Sequence, residues 1–123
     1  MIKSGIGYDV HPLKKGESLT LGGIKIPSSF GVVAFSDGDV LLHAIVDALL
    51  GAAALGDLGK HYPSSDAKWK GKNSLFFLRN TADMLYKIGY KIEHIDSTII
   101  LEKPKVSSRI SEMIYTIGKE IDL

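Results

Sequence analysis

Three residues in this chain have the types and spacing of a metal site: Asp9 and His11, two positions apart, and His43. On a strand, residues at i and i+2 project from one face. One carboxylate and two imidazoles leave the fourth tetrahedral position free, which is the composition of a catalytic rather than a structural zinc site. The chain has no cysteine, so thiolate and disulfide chemistry are excluded and a metal must rely on histidine and carboxylate. Against this stands a plainer reading, in which Asp9 caps a turn and His43 is a hydrogen-bonded core histidine. Asp47, one helical turn beyond His43, reads either as a carboxylate that orients the ring or as a helix-to-loop hydrogen bond.

Two glycine-punctuated loops are the second source of chemistry: Ser36-Asp37-Gly38-Asp39 and Gly56-Asp57-Leu58-Gly59-Lys60-His61. Backbone amides in such loops can hold phosphate oxygens, and Lys60 adds a cation; the same residues also cap helices. Neither loop is a Walker motif. A hydrolytic zinc enzyme would need a general base beside the metal, and no H-E-x-x-H is present.

The elements that must position these groups follow from periodicity. Ile2–Val10 reads as a strand, weakened by Gly5 and Gly7. Lys14–Ser18 reads as a polar turn. Leu19–Ile26 reads as a hairpin about Gly22-Gly23, closed by Pro27. Ser28–Ser36 is a loop or short strand, with Ser36 and Asp37 as candidate N-caps of an apolar helix over Asp39–Leu55. That helix carries Asp39, His43 and Asp47 at i, i+4 and i+8, one polar stripe on a rod whose apolar faces require burial. A polar loop spans His61–Asn73. A second helix is expected over Ser74–Ile88 with Gly89 as C-cap, a strand-like segment over Tyr90–Leu101, and a third helix over Val106–Ile121. Strands first, then helices alternating with strands, predict an α+β or α/β sandwich with helices covering one sheet face.

At 123 residues, with 45% apolar and 24% charged residues and a formal net charge of +1, the chain fits a single domain, residues 1–123, of ordinary globular composition. No basic excess points to nucleic acid. Val40–Leu55 is too short and interrupted for a membrane span of about 20 residues. Met1–Val10 lacks the apolar core of a signal peptide. The expectation is a soluble protein without nucleic acid or membrane as partner, cytoplasmic, or organellar if a transit peptide has been removed.

Together the motifs G-Y-D-V-H (Gly7–His11), L-G-G-I-x-I-P (Leu21–Pro27), the whole string from Ser36 to Pro63, and D-S-T-I-I-L-E-K-P-K (Asp96–Lys105) resemble the 2-C-methyl-D-erythritol 2,4-cyclodiphosphate synthase family, over essentially all 123 residues. The resemblance implies an α+β subunit with a mixed β-sheet covered on one face by helices, in a homotrimer whose sheets face the interior and whose active sites lie between subunits. It implies that 4-diphosphocytidyl-2-C-methyl-D-erythritol 2-phosphate is converted to the cyclic 2,4-diphosphate plus CMP, a step of non-mevalonate isoprenoid synthesis. The family's zinc ligands match Asp9, His11 and His43, where another divalent transition metal could also sit, and Mg²⁺ or Mn²⁺ would accompany the substrate diphosphate. Substrate contacts match Asp9, Val10 and His11, then Phe35 and Ser36, with Ser36 as a catalytic candidate. Asp57, Leu58 and Gly59, with Tyr62, Pro63, Ser64, Ser65 and Asp66, match segments that hold ribose and erythritol. Leu101, Glu102, Lys103, Pro104, Lys105, Val106 and Ser107 match the loop that holds cytosine from a neighbouring subunit.

Two departures accompany the resemblance. Phe35 stands where the family has histidine, and it cannot donate a hydrogen bond to phosphate. The family also continues past the third helix with a final strand and a phosphate-binding segment, both absent from these 123 residues. A missing inner strand would leave unpaired backbone and bare apolar surface, so a longer natural chain is expected. The alternative reading is a catalytically inactive, metal-binding trimeric module of the same fold.

Overall fold

The structure, a computed structural model, describes all 123 residues. Its best-formed strands are β2 (Ser18–Leu21) and β3 (Ile24–Pro27), paired antiparallel with Leu19 opposite Ile26 and Leu21 opposite Ile24. Gly22 and Gly23 hold φ of +62° and +80°, the two left-handed residues that a tight hairpin turn of matching twist requires. The expected hairpin is therefore present, and its four alternating aliphatic residues are all buried. A second two-stranded ladder joins β1 (Leu13–Lys15) to β4 (Phe30–Val32), so part of the expected polar turn at 14–18 is strand.

The cap of helix α1 (Val40–Ala52) lies two to three residues beyond the expected ones: Asp39, not Ser36 or Asp37, accepts the amide of Leu42. The loop after it forms a single helical turn, α2 (Leu58–His61), capped by Asp57. Helix α3 (Ser74–Lys87) is capped by Asn73, and α4 (Ile110–Ile121) follows a short 3₁₀ turn over Ser107–Arg109. Helix α1 packs on α3, α3 on α4, and the β2–β3 hairpin closes against both α1 and α4. The core between them holds Leu42, Val46, Leu50, Phe77, Leu78, Met113 and Ile121, all with 2% exposure or less.

Asp39 ties these layers together. Its Oδ1 accepts the amides of Gly22 (3.0 Å) and Leu42 (3.1 Å), and its Oδ2 accepts that of Gly23 (2.7 Å). One carboxylate thus caps α1 and fastens the hairpin turn onto it. The residue is fully buried, and that burial pushes its pKa from 3.8 up to about 6, although the three amides pull the other way.

Two expected strands are corrected. Residues 1–11 and 91–101 make no backbone–backbone hydrogen bonds, because a ladder needs a neighbouring edge and neither segment has one. The first segment instead lies tight against α1: a Cβ at Gly5 would fall 2.0 Å from the carbonyl oxygen of Ala48, and one at Gly7 would fall 1.8 Å from that of Ala44. Between residues 1–7 and 89–98 runs a groove of about 690 Å³, floored by Ala44, Ala48 and Ala52 of α1. The architecture is thus α+β as expected, but its strands form two antiparallel pairs rather than one mixed sheet.

Candidate metal centre and cleft

The glycine-tight packing of the N-terminal segment on α1 brings Asp9 and His11 over the first turns of that helix, where His43 emerges. Asp9 Oδ2 lies 3.0 Å from His11 Nε2 and 3.3 Å from His43 Nδ1, and the two ring nitrogens are 3.3 Å apart. The rings meet edge to face at 82°. For metal–nitrogen bonds of about 2.0–2.1 Å, the edge of a tetrahedron is about 3.3 Å, so the three donor atoms already have the spacing of three corners. Asp9 Oδ2 is buried without a hydrogen-bond partner, and an unpaired buried oxygen is costly unless something else satisfies it. A divalent cation held by Asp9, His11 and His43 fits that requirement and the all-oxygen-and-nitrogen donor set.

His43 is 7% exposed. Burial is the largest influence on it and lowers its pKa; the nearby Asp9 carboxylate opposes this and His11 reinforces it. The net result favours the neutral imidazole, the form that ligates metal. On its far side, His43 Nε2 is 2.8 Å from Ser74 Oγ and 3.1 Å from Ser36 Oγ.

The trio opens into a cavity of about 300 Å³. Of the residues singled out in the sequence, Asp9, His11, Phe35, Ser36, His43, Asp47, Asp57, Leu58, Gly59, Tyr62 and Ser64 line it. Val10, Pro63, Ser65, Asp66 and the segment Leu101–Ser107 do not. Asp66 caps the 3₁₀ turn at Ala67–Trp69 through the amide of Lys68 (3.1 Å). Tyr62 contributes a ring face only: it stacks on Phe77 at 4.5 Å, and its hydroxyl lies among Phe77 O, Thr81 Oγ1 and Asn80 Nδ2. Of the two readings of Asp47, the helix-to-loop bond is the one found: its Oδ1 accepts the amide of Leu58 at 2.8 Å and so holds α2 beside the cavity.

The sequence reading missed Trp69 and Phe77 as cavity walls and Ser74 as a partner of His43. The signal for Trp69 was a lone tryptophan inside a polar loop. Ser74 and Phe77 gave none, since both read as ordinary positions of α3.

A sequence model of the YgbB family matches residues 2–123. The 2-C-methyl-D-erythritol 2,4-cyclodiphosphate synthase of Syntrophobacter fumaroxidans is 48% identical over 122 residues, which cover 99% of this chain and 77% of that protein. Among solved structures, the bifunctional IspDF of Campylobacter jejuni superposes with a TM-score of 0.94 at 39% identity, over all of this chain and 33% of that one. The CDP complex of Plasmodium falciparum IspF gives a TM-score of 0.84 at 36% identity, over 98% of this chain and 74% of that one. With the metal-ligand geometry, the cavity and these likenesses in agreement, the chain belongs to the YgbB family.

Proposed function

We infer that this protein is a 2-C-methyl-D-erythritol 2,4-cyclodiphosphate synthase. It converts 4-diphosphocytidyl-2-C-methyl-D-erythritol 2-phosphate to the cyclic diphosphate and CMP. A 2-phosphate oxygen forms a bond to the β-phosphorus as the bond from that phosphorus to the oxygen shared with the α-phosphate breaks, and CMP leaves with that oxygen. The observation that carries the reading is the convergence of Asp9, His11 and His43 on one point at the mouth of the cavity, with Asp9 Oδ2 unpaired. A divalent metal there, zinc by preference, supplies Lewis acidity and a template for phosphate oxygen, and Mg²⁺ or Mn²⁺ would enter with the diphosphate. Ser36 presents its hydroxyl beside His43 and is the candidate donor to phosphate. Asp57–Gly59, held by Asp47, form the wall assigned to the sugar. Phe35, Tyr62, Trp69 and Phe77 exclude water from the same space, which strengthens every polar contact made inside it. Nothing in the ligand trio or the cavity favours an inactive module.

The same proposal includes a homotrimer. Ile2, Ile6, Tyr8 and Val10 alternate along the N-terminal segment and are 70–97% exposed, as is Ile100 at 92%. Patches of this kind usually mark association sites. The Leu101–Ser107 segment, away from this chain's own cavity, would then serve the site of a neighbouring copy. The groove between residues 1–7 and 89–98 is proposed to seat the family's additional strand, whose edges would pair with both segments. A cytoplasmic location completes the proposal.

Incubation with the diphosphocytidyl substrate, zinc and Mg²⁺ tests the function. Stoichiometric cyclic diphosphate and CMP are expected. CMP without cyclic product would replace cyclisation by hydrolysis, and no turnover by the zinc-loaded trimer would overturn the assignment.

A further inference from the structure

We propose that Ser74 and Asp37 are positioning residues that fix the tautomer of His43, so that its unprotonated Nδ1 faces Asp9 and His11. The proposal rests on the metal-site reading above but concerns residues that do not line the cavity. Ser74 is the first residue of α3 and is fully buried. Its backbone amide donates to Asp37 Oδ2 at 2.7 Å, and its hydroxyl donates to Asp37 Oδ1. A carboxylate only accepts, so the hydroxyl proton is committed to Asp37. What Ser74 Oγ offers His43 is therefore a lone pair, and the ring nitrogen 2.8 Å away, Nε2, must carry the proton.

A neutral imidazole has one N–H. With that proton on Nε2, Nδ1 is left as a free lone pair, and it is Nδ1 that stands 3.3 Å from both Asp9 Oδ2 and His11 Nε2. The rival acceptor is Asp9 Oδ2 on the Nδ1 side, but at 3.3 Å it is farther than Ser74 Oγ; Ser36 Oγ, at 3.1 Å and half-buried, lies on the Nε2 side as well. The relay is rigid at its outer end as well. Asp37 Oδ1 also accepts the amide of Asp39, at 3.1 Å, so the loop entering α1 and the first turn of α3 are held by one carboxylate. Outer partners of metal-bound histidines commonly set metal affinity by 10–100-fold.

The tautomer is read directly from long-range ¹H–¹⁵N correlations of the His43 ring in metal-free wild-type protein near neutral pH. The Nε2–H form is expected; a predominant Nδ1–H form would overturn the proposal without any variant having to fold. Zinc affinity, measured by competition with a chromophoric chelator, should fall about 10–100-fold in Ser74→Ala and in Asp37→Asn. Ser74→Thr, which keeps the hydroxyl, should recover most of that loss. Wild-type affinity in folded Ser74→Ala would refute the relay. Failure of the metal site itself is distinguishable, because His43→Ala would then still retain zinc.

Discussion

His43 meets two opposed requirements on one ring, a lone pair toward Asp9 and His11 and a proton toward Ser74. Purified protein should carry about one zinc per chain, and His43→Ala should lose it; full retention by metal analysis would remove the trio as the site. Since burial lowers the His43 pKa, the ring stays neutral to more acidic pH than an ordinary histidine. The contribution of His43 to uptake should therefore persist at mildly acidic pH and be lost as pH falls through that lowered value, read as zinc affinity against pH. Phe35, 37% exposed at the cavity, supplies no hydrogen bond. If the phosphate lacks one donor there, Phe35→His should raise kcat, with an upper range of about 10²–10³ set by the loss of comparable oxyanion donors. An unchanged kcat would show that Ser36 or another group already serves. The trio itself was legible because its donors are chemically distinctive. Ser74 was not, because a serine at a helix start is common and its partners lie 31 and 37 positions away.

At the level of elements, what was readable was whatever depends on near neighbours in the chain. The Gly22-Gly23 hairpin and the three long helices follow from local periodicity and turn chemistry, and they are present within a few residues of their expected bounds. The strands expected at Ile2–Val10 and Tyr90–Leu101 are not formed, because a strand exists only with a partner and no local pattern reports one. The cap of α1 was misplaced for a related reason. Asp37 had the right type, but its oxygens are engaged by α3, which leaves Asp39 to cap α1. Gly5 and Gly7 weaken a strand pattern, whereas their role here is to let backbone touch helix. Gly7→Val should therefore force the segment off α1. Overpacking of this kind typically costs about 1–3 kcal/mol, and here zinc should be lost as well, since Asp9 and His11 ride on the same segment. Chemical denaturation and metal content measured together check this; wild-type values for both would contradict the packing.

For the molecule as a whole, the exposed aliphatic face predicts association. Light scattering should give three times the chain mass of 13.4 kDa, and a monodisperse monomer at micromolar concentration would remove the trimer. Stability should also carry a signature of Asp39. Because its native pKa is raised from 3.8 to about 6, folded protein keeps a proton that the unfolded chain releases between those values. Stability contributed at this position therefore falls as pH rises through that window, by a limit of ~3 kcal/mol, and levels off above it. In Asp39→Asn this contribution to the slope should be absent, although that variant is less stable throughout because one acceptor oxygen is replaced by a donor. Urea unfolding of metal-free protein at several pH values reads the difference, and parallel curves would exclude it.

Asp39 also has a consequence in time. Its Oδ1 accepts one amide three positions away and another seventeen positions away, so the start of α1 and the closure of the hairpin onto it share a single acceptor. A helix cap ordinarily involves only neighbouring residues. Here it is complete only once a distant turn has arrived, and the prediction is that this encounter of hairpin and helix falls within the folding nucleus. Truncation of Asp39 should consequently slow refolding more than it speeds unfolding, with a φ-value above about 0.5. A cap mutation at Asp57 or Asn73, whose bonds are local, should appear mainly in the unfolding rate.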